Sequence, residues 1–212
     1  ENVSKDPRVT VVTHYLRGPI PELGDFDFIL HLAAESHVDR SIVDPVGFVE
    51  NNVSSALNVL EYARHHSSGL RALVSFGTDE SYGAREHEEW DVLLPSNPYA
   101  ASKAAVEMLS IAWWRTFGLP IVLTSSNNAC GPRQASEKFV PKIIESVRKG
   151  ETLTIHTTAS GPGKRCYNPV QNVADALLFI LGLPVSRYDP AGDADRPDRY
   201  SLGGGEVRNN LE

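Results

Sequence analysis

Pro95-Ser96-Asn97-Pro98-Tyr99-Ala100-Ala101-Ser102-Lys103-Ala104 is the stretch on which the fold turns. Pro98 lacks an amide hydrogen that the first turn of a helix would leave unpaired, so it can open one. Helical spacing then runs from Tyr99 to Phe117, where Gly118-Leu119-Pro120 stops it. Tyr99 and Lys103 are four residues apart and so share one face of that helix. An ammonium near a phenol favours the phenolate and lowers the Tyr pKa, which makes a base for a hydroxyl proton. The pair alone is weak, because a chain with seven Tyr offers such a spacing by chance. Weight comes from Thr78-Asp79-Glu80, about twenty residues upstream at the end of an expected strand. In open α/β sheets the carboxyl ends of strands face the ligand crevice.

Outward from this stretch, apolar runs alternate between strand and helix periods. Residues 9–16, 26–34, 70–77, 119–124, 152–156 and 200–202 read as strands, and 45–66, 99–117, 137–149 and 173–183 as helices. Residues 157–164 read as a loop and 189–199 as a polar linker. Alternation of this kind predicts an α/β fold, a parallel sheet with helices on both faces. Ala33 and Ala34 close one strand with small side chains, which either admit a planar ligand or only pack tightly.

The bulk numbers exclude several classes. The chain has 212 residues, 20 Lys plus Arg against 27 Asp plus Glu, and a net charge of −7. That balance argues against a nucleic-acid-binding surface, which needs a clustered basic excess. No apolar run approaches a membrane span, so no membrane partner is expected. Two distant cysteines, Cys130 and Cys166, suggest reduced thiols and a cytoplasmic setting. No Cys/His spacing suited to a metal is present.

Taken together, the motifs resemble the extended short-chain dehydrogenase/reductase family, the NAD-dependent epimerases and dehydratases, and most closely its dTDP-glucose 4,6-dehydratase branch. The matching stretches are His31-Leu-Ala-Ala-Glu-Ser-His-Val-Asp-Arg-Ser-Ile42, Thr78-Asp-Glu-Ser-Tyr-Gly83 and Pro95-Ser-Asn-Pro-Tyr-Ala-Ala-Ser-Lys103. Weaker matches are Asn127-Asn-Ala-Cys-Gly-Pro132, Glu137-Lys-Phe-Val-Pro141 and Tyr200-Ser-Leu-Gly-Gly204. They occur in family order across nearly the whole chain.

The resemblance implies a Rossmann-like core over 1–134 and, over 135–212, a mixed region shared between a small substrate lobe and the last sheet elements. It also implies that the Gly-rich strand-helix-strand unit would precede Glu1 and that the substrate lobe is incomplete. A fragment, a chain with segments omitted and a degenerate relative all remain open. The implied cofactor is NAD and the implied substrate a nucleotide sugar of the dTDP-glucose type. Tyr99 would take the proton from the sugar 4-hydroxyl, with Lys103 holding the cofactor ribose and Thr78 bonding the 4-oxygen. Glu80 would remove the C5 proton while Asp79 protonates the departing 6-hydroxyl, two carboxyls dividing the roles of base and acid. Ala33, Ala34 and Ser36 match cofactor-lining positions; Asn128, Lys138 and Arg165 match positions that hold the substrate and its diphosphate.

Relatives that only epimerise usually lack both carboxyls after the Thr, so Asp79-Glu80 favours dehydration. Tyr15, Ser125, Ala129, Cys166, Tyr167 and Asn172 depart from the family pattern around an intact catalytic set. The alternatives are an epimerase of the same family and a catalytically silent relative serving as a binding or assembly module. Family members usually form homodimers through the helices that correspond to 45–66 and 99–117. Trp113 and Trp114 would either assist there or be buried within one chain.

Overall fold

The structure is a computed structural model that describes residues 6–155, 157–158, 161–162, 164–203 and 207–209. Its elements begin with β1 (Phe28–His31), α1 (Val38–Val43), α2 (Pro45–His65) and β2 (Ala72–Phe76), followed by a 3-10 turn (Asp79–Tyr82). Next come α3 (Pro98–Phe117), β3 (Ile121–Ser126), β4 (Asn128–Cys130), α4 (Phe139–Lys149), β5 (Thr157–Thr158) and β6 (Gly161–Pro162). The last are β7 (Lys164–Pro169), α5 (Val170–Leu181), β8 (Asp198–Leu202) and β9 (Val207–Asn209).

The main sheet has the order β1-β2-β3-β8, and every pairing in it is parallel. Alternate strand residues point to opposite faces, and here both faces are apolar. Leu73, Ile121 and Leu123 pack with Val59, Leu60 and Ala63 of α2 and with Trp114 of α3. Val74, Val122 and Leu202 pack on the other side with Val173, Leu177 and Ile180 of α5. The expected α/β arrangement is therefore present, with helices on both faces. A smaller sheet, β4-β7-β9, stands beside it, and β5 pairs antiparallel with β6.

Trp114 is fully buried in the first of these layers. Its indole N–H donates to the Ser186 carbonyl at 3.1 Å, and Tyr188 meets the ring edge-on at 5.2 Å between centroids. Truncating so large a buried aromatic leaves a cavity and an orphaned carbonyl. Trp114→Ala is expected to cost about 3–5 kcal/mol, read from the urea midpoint at unchanged slope. Trp113 lies beside it and donates to Glu61 Oε1 of α2 at 2.8 Å, so the helix pair is tied within one chain.

Several expectations fail, for physical reasons. Residues 9–16 form no strand, and Val11 and Tyr15 are each 65% exposed. Strand propensity needs a paired neighbour, and this segment has none among the described residues. Residues 152–155 are irregular, and His156 lies outside the described residues. The expected loop at 157–164 contains the β5–β6 pair and the first residue of β7, while the 189–199 linker already enters β8 at Asp198. The strand expected over 26–34 is confined to 28–31, which frees the small residues after it. No disulfide joins Cys130 and Cys166.

Candidate active site

Three parallel strands end on the same side of the main sheet. After β1 the chain passes through Leu32-Ala33-Ala34, after β2 through Gly77-Thr78, and after β3 into Asn127. Gly77 is required where it stands, since a Cβ there would run into the Thr124 carbonyl of the neighbouring strand. That close approach aims the next residues out of the sheet. Thr78 is extended, and its Oγ1 accepts the Glu80 amide at 3.3 Å, so it caps the short turn that carries Asp79 and Glu80.

Asn97 starts α3. Its Oδ1 accepts the Ala100 amide at 2.8 Å, an N-cap of ordinary geometry. The same side chain donates through Nδ2 to Glu80 Oε2 at 3.3 Å, so one residue both opens the Tyr99 helix and holds a carboxylate. Asn127 does the equivalent for the neighbour, donating to Asp79 Oδ2 at 2.7 Å. Each carboxyl of the turn thus has its own amide partner from a different element. Behind the helix, the buried Asn52 joins Ser102 Oγ, at 2.8 Å, to both backbone groups of Glu35, fixing the loop after β1 against α3.

One cavity of about 270 Å³ opens at the strand ends. Ala34, Ser36, Thr78, Glu80, Tyr99, Lys103, Asn128 and Lys138 all line it. Asp79 borders it through Asn127, which also lines it; Ala33 lies on the loop beside it. Lys138 Nζ crosses to Ser36, donating to its carbonyl at 2.8 Å and its hydroxyl at 3.1 Å. Arg165 lines an adjoining cleft of about 460 Å³, which shares Ser36, Glu80, Asn128 and Lys138 with the first. Its guanidinium is exposed and, through Nη1, donates to the Lys164 carbonyl at 2.9 Å. Among the departures from the family pattern, Ala129 lines the cavity and Tyr167 the cleft, whereas Tyr15 is on the surface.

The expected lowering of the Tyr99 pKa is not what the geometry gives. Burial pushes the phenol up to about 12, opposed by the hydrogen bond with Thr78 and reinforced by the charges of Glu80 and Asp79. Lys103 is not turned to the phenol: its Nζ donates to the Phe76 carbonyl at 2.5 Å. Lys103 is 5% exposed, and burial lowers its pKa to about 8, with Glu107 acting in the opposite direction. An ammonium has three N–H groups, and after the bond to Phe76 two remain for a ligand. Small Ala34 and the spare hydrogen-bonding capacity of Lys103, both lining this cavity, suit a cofactor ribose.

Residues 16–191 match the NAD dependent epimerase/dehydratase family. The chain belongs to this family. It is 38% identical over 212 residues to a dTDP-glucose 4,6-dehydratase of Streptomyces antibioticus, covering 95% of this chain and 62% of that protein. Among solved structures, it resembles DesIV, a dTDP-glucose 4,6-dehydratase of Streptomyces venezuelae with NAD and TYD bound. There the TM-score is 0.85 and the identity 31%, over 99% of this chain and 63% of DesIV. The Thermus thermophilus UDP-glucose 4-epimerase in complex with NAD is also similar, at TM-score 0.73 and 31% identity, over 87% of this chain and 58% of the epimerase. The chain therefore spans less than two thirds of the length of these relatives.

Among the described residues no group of His, Cys, Asp and Glu is arranged to hold a metal, and no helix is long and apolar enough to cross a membrane. Asn97, Asn127 and Asn52 are the site residues that sequence reading missed. Asn97 carried a signal, as a good N-cap before Pro98; the other two are brought in only by the fold.

Proposed function

We propose that this protein acts as an NAD-dependent 4,6-dehydratase of a nucleotide sugar of the dTDP-glucose type. The observation that carries the reading is that Thr78, Glu80, Tyr99 and Lys103 line one cavity at the strand ends, with Asp79 held beside them by Asn127. When bound, oxidised NAD would supply the site with a reversible hydride acceptor and a positive charge. Lys103, with two N–H groups to spare, would hold its ribose, and Ala33, Ala34 and Ser36 would border it.

Tyr99 takes the proton of the sugar 4-hydroxyl as the C4 hydride leaves, and Thr78 hydrogen-bonds the 4-oxygen. The resulting ketone acidifies the C5 hydrogen. Glu80, steadied by Asn97, removes that proton, and Asp79 gives its proton to the departing 6-hydroxyl. Hydride then enters C6 and a proton returns to C5, so the sum is loss of one water. Asn128 and Lys138, which line the cavity, would hold the sugar, and Arg165, which lines the adjoining cleft, would hold the diphosphate that its planar fork suits.

The similarity to a UDP-glucose 4-epimerase supports a second reading, in which the 4-ketone is reduced back without elimination. The Asp79–Glu80 pair, each carboxyl with an amide partner, favours dehydration, since an epimerase needs neither. We also infer a homodimer through α2 and α3, on which Val46, Val49, Met108 and Phe117 are exposed, and a cytoplasmic setting. Residues 1–134 would form the cofactor-binding core and 135–212 the substrate lobe with the last sheet elements. The test is mass spectrometry of dTDP-glucose incubated with the protein and NAD. A product lighter by one water is expected. A product of unchanged mass but inverted C4 would support the epimerase, and unchanged substrate would overturn both readings for this sugar.

A further inference from the structure

Behind Lys103 lies a second polar cluster with no place in the reaction as written above. Glu107 is one turn further along α3, and its carboxylate pairs with the Arg199 guanidinium of β8. Both side chains are more than nine-tenths buried. Arg199 is held from several sides. Its Nη1 donates to the Tyr82 hydroxyl at 2.5 Å and to the Glu89 carbonyl at 2.6 Å, and the Trp90 ring lies 4.0 Å from its central carbon. Tyr82 is the last residue of the turn that carries Asp79 and Glu80.

Such a pair is expensive. Desolvating two charges costs about as much as their attraction returns, and a hydrophobic pair of the same volume is often as stable. Stability alone therefore gives little reason for it. Its position does. Three titratable side chains, Tyr99, Lys103 and Glu107, follow one another at successive turns of α3, and Arg199 is anchored to the carboxylate turn.

We propose that the Glu107–Arg199 pair is a positioning device: Glu107 supplies the negative charge that keeps buried Lys103 an ammonium, and Arg199 locks both to the Asp79–Tyr82 turn. The groups that face Lys103 are His31 from β1, the Phe76 carbonyl from β2 and Glu107 from its own helix, on which Tyr99 stands one turn earlier. His31 is neutral there, its pKa lowered to about 4 by burial and by Lys103, so it adds no second positive charge beside the amine. Glu107 is the charge that opposes the desolvation of Lys103. Burial pushes the Glu107 pKa up, and the Arg199 guanidinium paired with it opposes that rise and favours the carboxylate.

This rests on the reading that Lys103 works as an ammonium, but its test needs no turnover. The Lys103 amine is followed by NMR in lysine-labelled protein, its signal assigned by its absence in Lys103→Arg. In the parent it should titrate near 8. In Glu107→Gln it should titrate lower by about one unit. A merely structural role predicts the opposite, because a loosened core admits water and returns the amine towards 10.5. Should Glu107→Gln fail to fold, the double variant Glu107→Gln/Arg199→Gln strands no charge and should lower the Lys103 titration too, though by less, because the Arg199 charge goes with the carboxylate. An unchanged or raised Lys103 titration in a folded variant overturns the proposal. If the shift is found but the parent leaves dTDP-glucose intact, the dehydratase reading fails for that sugar and the positioning role stands.

Discussion

Tyr99→Phe is expected to abolish turnover of dTDP-glucose, with a loss of at least about 10²–10⁴-fold, the range a positioned acid or base contributes. The substitution removes one oxygen and keeps the ring, which packs where α3 begins. The partner it leaves is Thr78, whose Oγ1 still accepts the Glu80 amide and still reaches Asp79 Oδ1, at 3.4 Å. Stability should therefore fall by no more than about 1 kcal/mol, the net worth of one hydrogen bond. Thermal unfolding of the variant beside its product yield separates lost chemistry from lost fold. Normal turnover in the folded Phe variant would remove Tyr99 from the reaction. The phenol makes a demanding case, since burial and two carboxylates raise its pKa to about 12. A phenol in that state works as a base only where positive charge is supplied to the cavity, and the Lys103 amine, bonded to the Phe76 carbonyl, does not supply it alone.

That distinction marks where sequence reasoning succeeds and where it stops. Local rules were enough to find α3, because Pro98, the apolar period and Gly118-Leu119-Pro120 are all local signals, and the helix runs from Pro98 to Phe117. β2 and β3 were legible as apolar runs of the buried-strand type. Residues 9–16 look equally strand-like, but a strand is a property of a pair, and the sequence of one segment cannot report that no described residue pairs with it. β7 was missed for the complementary reason: Lys164-Arg165-Cys166-Tyr167 has no clear alternation, and its pairing with β4 and β9 makes it a strand. At the site, spacing placed Tyr99 and Lys103 on one face correctly. It did not show that the Lys103 amine turns to Phe76, nor that Asn97 and Asn127 each take one carboxylate. Those are contacts between residues far apart in the chain, set by how the strand ends converge. The Glu107–Arg199 pair spans 92 residues, and nothing near either residue announces it.

Glu80→Gln is the substitution that divides the reaction most sharply. Gln keeps the shape of Glu and an oxygen to accept the Asn97 amide, so the turn and the N-terminus of α3 should hold. What it loses is basicity. Tyr99, Lys103 and Thr78 are untouched, so oxidation at C4 should proceed, while removal of the C5 proton should slow by about 10²–10⁴-fold. The expected result is a 4-ketone that still carries its 6-hydroxyl. Trapped with hydroxylamine, it should appear in the mass spectrum as the adduct of the intact keto sugar rather than of the dehydrated one. Solvent deuterium should also fail to enter C5 on the time scale of the parent reaction. An unchanged rate of water loss would take Glu80 out of the elimination. Asp79, the neighbour held by Asn127, would then be the base, because it is the other carboxylate at the end of β2. Loss of oxidation as well would mean that the two carboxyls act on the Tyr99 phenol rather than on C5, which the raised pKa of that phenol makes a physical alternative. The three outcomes differ in which bond to the sugar survives, so one spectrum distinguishes them.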